Sequence, residues 1–248
     1  MSIAFLWGLI AASSLVIGGL LGSWLSIGKR TLGAIMAFGA GVLISAVAYE
    51  LVFEAIQLAK LTGFPTMGLF AGATTFFVSD WLIGAMGGSE DEPIAASQPS
   101  NLAVPLVLAI ILDGIPESVA IGLGILEGGT VSVAMLVAVF ISNLPESIAS
   151  TMGMRSSGWS RTKILLLWVS IAVVCGGASA AGYGLLGGLS PGWLSFVQTF
   201  AGGAILMMLA NTMIPEAYEQ GGKLAGVFTV LGFAICVWVI VLEHAGAG

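Results

Sequence analysis

The sequence predicts an all-α, polytopic membrane protein with eight transmembrane helices, and three observations carry that prediction. Of 248 residues, 58% are apolar and only 8% are charged, where an ordinary soluble domain has about a quarter charged. The mean hydropathy is +1.07. The apolar residues fall in runs of about 20, the length a helix needs to cross a hydrocarbon core, rather than in the short alternating segments of an outer-membrane barrel. This composition excludes a water-soluble single fold. The net charge of −6, from 7 basic and 13 acidic residues, also excludes a nucleic-acid binder, which needs clustered Lys and Arg to meet phosphates.

Cutting the chain where charges, Pro and Gly cluster places the spans at 3–27, 32–59, 67–86, 102–126, 130–154, 164–186, 193–220 and 224–243. The first is too long for a signal-peptide core and has no basic residue before it, so it is expected to remain as a helix of the mature protein. The second follows Lys29 and Arg30 and carries Glu50 and Glu54 toward its far end. The third ends near Asp80, an acid expected at a helix end or in bundle packing. It opens into a loop at 87–101, whose Glu90, Asp91 and Glu92 read as a solvated turn. The fourth and fifth contain Pro116 and Pro145 in mid-span. The sixth holds Cys175, the seventh Glu216 and Glu219, and the eighth Cys236, with His244 at its outer end. With no CxxC and no Cys/His spacing, the two cysteines are expected to pack as small apolar residues, and a core metal site built on imidazole is excluded. One set of alternate loops holds Lys29, Arg30, Arg155, Arg161, Lys163 and Lys223, while the other holds only Lys60. By the positive-inside rule both termini lie outside the cytoplasm, with the chain in the cell membrane.

Two internal similarities organise these spans. Residues 38–55 align without a gap on residues 200–217, matching Phe38 with Phe200, Gly41 with Gly203, Ala48 with Ala210, Glu54 with Glu216 and Ala55 with Ala217. Spans two and seven are an odd number of spans apart and run in opposite directions. The expectation is an inverted repeat in a 3+2+3 arrangement: residues 1–86, a central pair at 102–154, and residues 164–243. Such folds place a substrate site near the midplane and alternate access by rocking. The second similarity joins the central pair, where Asp113-Gly-Ile-Pro-Glu117-Ser-Val-Ala repeats as Ser142-Asn-Leu-Pro-Glu146-Ser-Ile-Ala.

The central pair carries the chemistry. A carboxylate at the bilayer centre costs at least about 2.5–3.5 kcal/mol, and no basic residue is available inside the membrane to offset it. Asp113 and Glu117 are four apart and share a helical face. Ser142 and Glu146 repeat the spacing on the next helix, with Asn143 on the same side. These carboxyls are either protonated or neutralised by a cation, and converging oxygens suit a divalent ion. Pro116 and Pro145 also free the carbonyls of Leu112 and Ile141, which lipid tolerates only where protein, water or an ion meets them.

These two segments resemble the fourth and fifth helices of the Zrt-/Irt-like protein (ZIP) family of divalent-metal transporters, where both helices carry a His-Asn-x-Pro-Glu-Gly type of motif around a binuclear metal site. The likeness extends over most of the chain. It takes in the Phe-Gly-Ala-Gly and Glu50/Glu54 segment of span two, Asp80 in span three, and the Ile-Pro-Glu216 of span seven. The family implies eight spans, both termini outside, and inverted three-helix repeats around a central pair.

The departures are specific. Asp113 and Ser142 stand at the two histidine positions and Gly114 at an Asn position, while Asn143, Glu117 and Glu146 keep the family's residue types. Residues 174–182 of span six lack the family's acid, and Asn211 and Thr212 replace the His-Glu before Ile-Pro-Glu. With every imidazole gone, the expected metal site of Asp113, Glu117, Ser142, Asn143 and Glu146 is oxygen-rich. That favours a mononuclear centre for manganese, iron or magnesium, with zinc admitted by the resemblance.

The expected function is transport of a divalent metal ion toward the cytoplasm. The metal is the transported substrate and no cofactor is permanently bound. The expected partners are the ion and the lipid bilayer. Small-residue runs at 18–22 and 176–184 serve either the bundle or a homodimer. No nucleotide motif is present, so an ATPase, or another enzyme, is not expected. The competing expectations are a carrier of protons or an organic solute, and a non-transporting scaffold or sensor that has kept the fold.

Overall fold

The computed structural model describes residues 1–25, 27–59, 62–88, 103–129 and 131–246. Those residues are mostly helical, with no strand among them, and form eight helices long and apolar enough to cross a membrane. They are α1 (Ser2–Trp24), α2 (Lys29–Leu58), α3 (Phe64–Met86), α4 (Ala103–Gly128), α5 (Val133–Ser156), α6 (Arg161–Leu185), α7 (Pro191–Gly221) and α8 (Leu224–Gly246). Each boundary lies within three residues of the sequence expectation. Lys60 and the acidic run Glu90, Asp91 and Glu92 lie outside the described residues, as does the side chain of His244.

The helix ends follow local chemistry. Pro65 and Pro191 occupy the first turns of α3 and α7, where a missing N–H costs nothing. Ser132 accepts a hydrogen bond from the Met135 amide at 3.1 Å and so caps α5, and Ser160 caps α6. Gly222, at φ 64°, lets the chain leave α7 in the left-handed region.

Tight crossings set the packing. In α2 against α8, a Cβ at Gly41 would overlap the Thr229 carbonyl and one at Gly232 the Phe38 carbonyl. In α3 against α7, Gly203 meets the Leu69 carbonyl and Gly72 the Phe200 carbonyl in the same way. Only glycine permits backbones this close. A third helix, α1, lies between α5 and α6. Its Gly18 faces Ser147 and the Leu144 carbonyl, and its Gly19 faces the Trp168 ring. Trp168 is fully buried and donates through Nε1 to Thr151 Oγ1 at 2.8 Å, so its one polar group is satisfied. At the end of α1, Arg155 donates to the Ser23 carbonyl at 3.0 Å, and the Arg161 guanidinium lies 4.3 Å from the centroid of Trp24.

Three helices are not uniformly α: α3 ends in a π-helical turn at Gly84–Gly88, and two others are interrupted within their length. A π-helical turn interrupts α2 at Val47–Phe53 and α7 at Leu209–Met213. Val47 and Leu209 are matched positions in the 38–55/200–217 alignment, so both interruptions begin at the same point of the sequence similarity.

Candidate functional site

α4 and α5 pass Pro116 and Pro145 without breaking the helix. The Ile141 carbonyl, which Pro145 deprives of its amide partner, faces Gly39 of α2, where an added Cβ would lie 3.2 Å from it and 3.0 Å from the Ser142 Cα. The freed carbonyl is thus met by a neighbouring backbone, one of the environments that lipid permits.

Around these prolines the two helices bring four of the five expected site residues together. The Glu117 carboxyl has Asn143 and Ser142 as its polar neighbours, and Glu146 is the carboxylate acting on it. Glu117 is 1% exposed, Ser142 and Asn143 are buried, and Glu146 is half-buried. The Ser142 hydroxyl donates to the Val139 carbonyl at 3.1 Å, which leaves its lone pairs for another partner. Glu117 Oε2 has no hydrogen-bond partner. Asp113 stands one turn earlier on α4 and is half-buried. Among the described residues no three His, Cys, Asp or Glu side chains lie close enough together to hold a metal ion, so Asp113, Glu117 and Glu146 do not converge as a trio. The donors that α4 and α5 bring together are therefore carboxyl oxygens accompanied by the neutral oxygens of Ser142 and Asn143.

Cys175 on α6, expected to serve in packing alone, also belongs to these surroundings. Its thiol occupies the space beside Gly114, where an added Cβ would lie 3.0 Å from Sγ, and donates to the Gly114 carbonyl at 3.8 Å. Ser118 is beside it and donates to the same carbonyl at 2.7 Å. The sequence held a signal for this contact. Cys175, Ser179 and Gly182 form a stripe of small residues at helical spacing on α6, and Gly114, Ser118 and Gly122 form another on α4. The two stripes face each other, as Gly122 against the Ser179 carbonyl and Gly182 against Val119 show.

A cavity of about 1340 Å³ opens at the other end of the same helices. Glu50, Glu54 and Glu243 line it together with Tyr49, Phe53 and Ser132, and no Lys or Arg is among its lining residues. Gly124, also on its wall, is seven residues beyond Glu117, or about 10 Å along α4 at 1.5 Å per residue. Buried Ile121 and Leu123 occupy the stretch between. Glu243 was not singled out by sequence. Its carboxylate accepts from the Val133 amide at 2.9 Å and the Ala134 amide at 3.2 Å, which ties the end of α8 to the first turn of α5.

At the opposite end of the bundle, Gln220 donates to Glu216 at 2.7 Å. Asn211 is exposed and Thr212 half-buried, both in the π-helical turn of α7. Asp80 is half-buried near the end of α3. No family model matches the chain, and no curated protein matches it.

Proposed function

We propose that the chain is a carrier of the ZIP kind that moves a divalent cation toward the cytoplasm by alternating access. The observation that carries this reading is Glu117. It is a carboxyl with 1% exposure in mid-span, with one oxygen lacking any hydrogen-bond partner and with Ser142, Asn143 and Glu146 beside it. A buried carboxyl with a spare oxygen and no basic neighbour is costly as a packing device. As part of a cation pathway its cost is offset whenever the ion is present.

The architecture proposed with it is a 3+2+3 bundle with inverted repeats. Exchanging α1 with α6, α2 with α7, α3 with α8 and α4 with α5 turns the α2–α8 crossing into the α7–α3 crossing. It also turns the α1–α5 contact into α6–α4. Each of these contacts is extensive. The agreement reaches single atoms. Gly41 against Thr229 corresponds to Gly203 against Leu69, and Gly232 against Phe38 to Gly72 against Phe200. The matched π-helical turns of α2 and α7 support the same correspondence.

With six of seven basic residues on one set of loops, both termini are placed outside the cytoplasm of the cell membrane. In that orientation the acidic cavity opens outward and collects cations, with Glu50, Glu54 and Glu243 on its wall. The oxygen donors of Glu117, Glu146, Ser142 and Asn143, with Asp113 one turn away, suit manganese, iron or magnesium. The ion is the cargo.

Uptake of manganese, iron and zinc into proteoliposomes tests the reading, with wild type compared with the Glu117→Gln/Glu146→Gln double variant. Loss of uptake in the double variant is expected. Equal uptake by both removes the site. Metal-independent currents that follow pH point instead to proton exchange by the same carboxyls.

A further inference from the structure

The carboxyls and neutral oxygens account for one face of the site, but α6 adds a different donor. Cys175 is 3% exposed, and its Sγ fills the space that a side chain at position 114 would occupy. Position 114, whose space the sulfur fills, lies between Asp113 and Glu117 on α4, and Glu117 and Glu146 are the charged groups near the thiol. Cys175, Glu117 and Glu146 do not converge as a trio, so the sulfur reaches the carboxyl oxygens only by turning. Glu117 Oε2, buried and without a hydrogen-bond partner, leaves an acceptor unused in these surroundings. The sulfur has two weak partners, the Gly114 carbonyl at a long 3.8 Å, which Ser118 already satisfies at 2.7 Å, and the Ser118 side chain itself. It can therefore turn away from Gly114 without orphaning a strong hydrogen bond.

We propose that Cys175 is a specificity-determining donor of the cation site, giving a set otherwise composed of oxygens one soft ligand and so favouring thiophilic divalent ions such as Zn²⁺ and Cd²⁺ over Mn²⁺. The inference rests on the cation-carrier reading above and changes its preferred ion. When the ion binds, a metal–sulfur bond forms, the S–H bond breaks, and the proton is released to water on the side from which the ion came, with no change in oxidation state. Glu117 supplies an oxygen from α4, and the thiol approaches from α6. Sulfur in place of an oxygen ligand shifts preference toward softer ions, whereas Mn²⁺ gains nothing from it.

Cd²⁺ binding to the whole chain in lipid nanodiscs tests this, followed by the sulfur-to-cadmium charge-transfer absorption, with Mn²⁺ binding measured in parallel. Cys236→Ser is expected to keep the band. Cys175→Ser is expected to lose it, with Cd²⁺ affinity falling about tenfold or more and Mn²⁺ affinity unchanged. A band that survives Cys175→Ser, or an unchanged ratio of Cd²⁺ to Mn²⁺ affinity, overturns the proposal. Should Cys175→Ser fail to fold, alkylation of the Cys236→Ser chain replaces it: Cd²⁺ must slow modification of the remaining thiol more than Mn²⁺ does, and equal protection overturns the proposal. Glu117→Gln keeps the two ideas apart. If it binds Mn²⁺ as wild type does, the carboxyl site itself is wrong. If it weakens Mn²⁺ while Cys175→Ser leaves Cd²⁺ untouched, only the thiol assignment fails.

Discussion

The glycines of the outer crossings and two glycines of the central pair, Gly114 and Gly124, do opposite work. At the α2–α8 and α3–α7 crossings, Gly41, Gly232, Gly72 and Gly203 each face a backbone carbonyl of another helix, and no side chain can yield there. In α4, Gly114 meets only the end of a thiol and Gly124 meets nothing within 4 Å. Between α4 and α5 themselves direct backbone contact is sparse, and the helices meet through Glu117, Ser142, Asn143 and Glu146. The crossings are thus fixed backbone to backbone, as is α4 at Gly122 against the Ser179 carbonyl, while α4 keeps slack on either side of Glu117, at Gly114 and Gly124. A carrier that rocks one part of its bundle against another needs both kinds of region.

The largest expected effect comes from breaking a crossing. Gly41→Ala and Gly203→Ala each force a Cβ into a carbonyl oxygen and should cost about 3 kcal/mol, the upper part of the overpacking range. Thermal unfolding of the detergent-solubilised chain measures it. Because the two positions are matched in the sequence similarity and, in the repeat proposed above, face corresponding partners, their losses should be alike. A large loss at one position and none at the other would break the correspondence between the halves.

That correspondence was partly legible beforehand. Runs of about 20 apolar residues gave all eight helices, and the shared Phe, Gly and Glu positions of 38–55 and 200–217 placed Gly41 and Gly203 together. The partners of those glycines were not legible. Thr229 and Leu69 sit in spans whose apolar residues carry no shared motif, and helix packing in lipid depends on shape more than on residue type. The π-helical turns escaped too, because a one-residue change of register leaves no mark on an unbroken apolar run. In the site, the repeated Pro-Glu-Ser pointed to Glu117, Ser142, Asn143 and Glu146, which α4 and α5 do bring together. Asp113 was grouped with Glu117 by its spacing of four, which fixes a shared face; among the described residues no three of the acids converge, because a shared face does not set side-chain reach. Cys175 was read as packing because it lies in a span with no CxxC or Cys/His spacing, and the glycine at 114 advertises nothing about what fills its space.

A smaller effect sharpens the comparison at the rim of the cavity. Glu243 holds the first turn of α5 through the Val133 and Ala134 amides, so its side chain fastens the end of α8 to the central pair. Glu243→Gln keeps one acceptor oxygen and loses the charge, for a cost of about 1 kcal/mol. Hydrogen exchange at the Val133 and Ala134 amides should accelerate, and unchanged exchange would show that the clasp contributes nothing.

Gly114→Ala tests the slack directly. Its Cβ would lie 3.0 Å from Cys175 Sγ, and a thiol at the end of a single rotor can give way, so the cost should stay below about 1 kcal/mol. The same substitution made in Cys175→Ala should cost nothing. A double-mutant cycle then reports the coupling between α4 and α6, and a penalty that persists without the thiol would mean that backbone, not sulfur, limits the space.

The smallest effect has the opposite sign. Gly124 lies inside α4 with no atom within 4 Å of an added Cβ, on the wall of the acidic cavity. Alanine there removes backbone freedom from the unfolded chain and creates no contact to be relieved, so Gly124→Ala should stabilise the protein by about 0.5–1 kcal/mol. If stability rises while uptake falls, the glycine is kept for flexibility of α4 between the cavity and Glu117, and the slack of the central pair serves transport. If both rise or hold, the slack lies elsewhere along the helix, and Gly114 beside the thiol becomes the place to look for it.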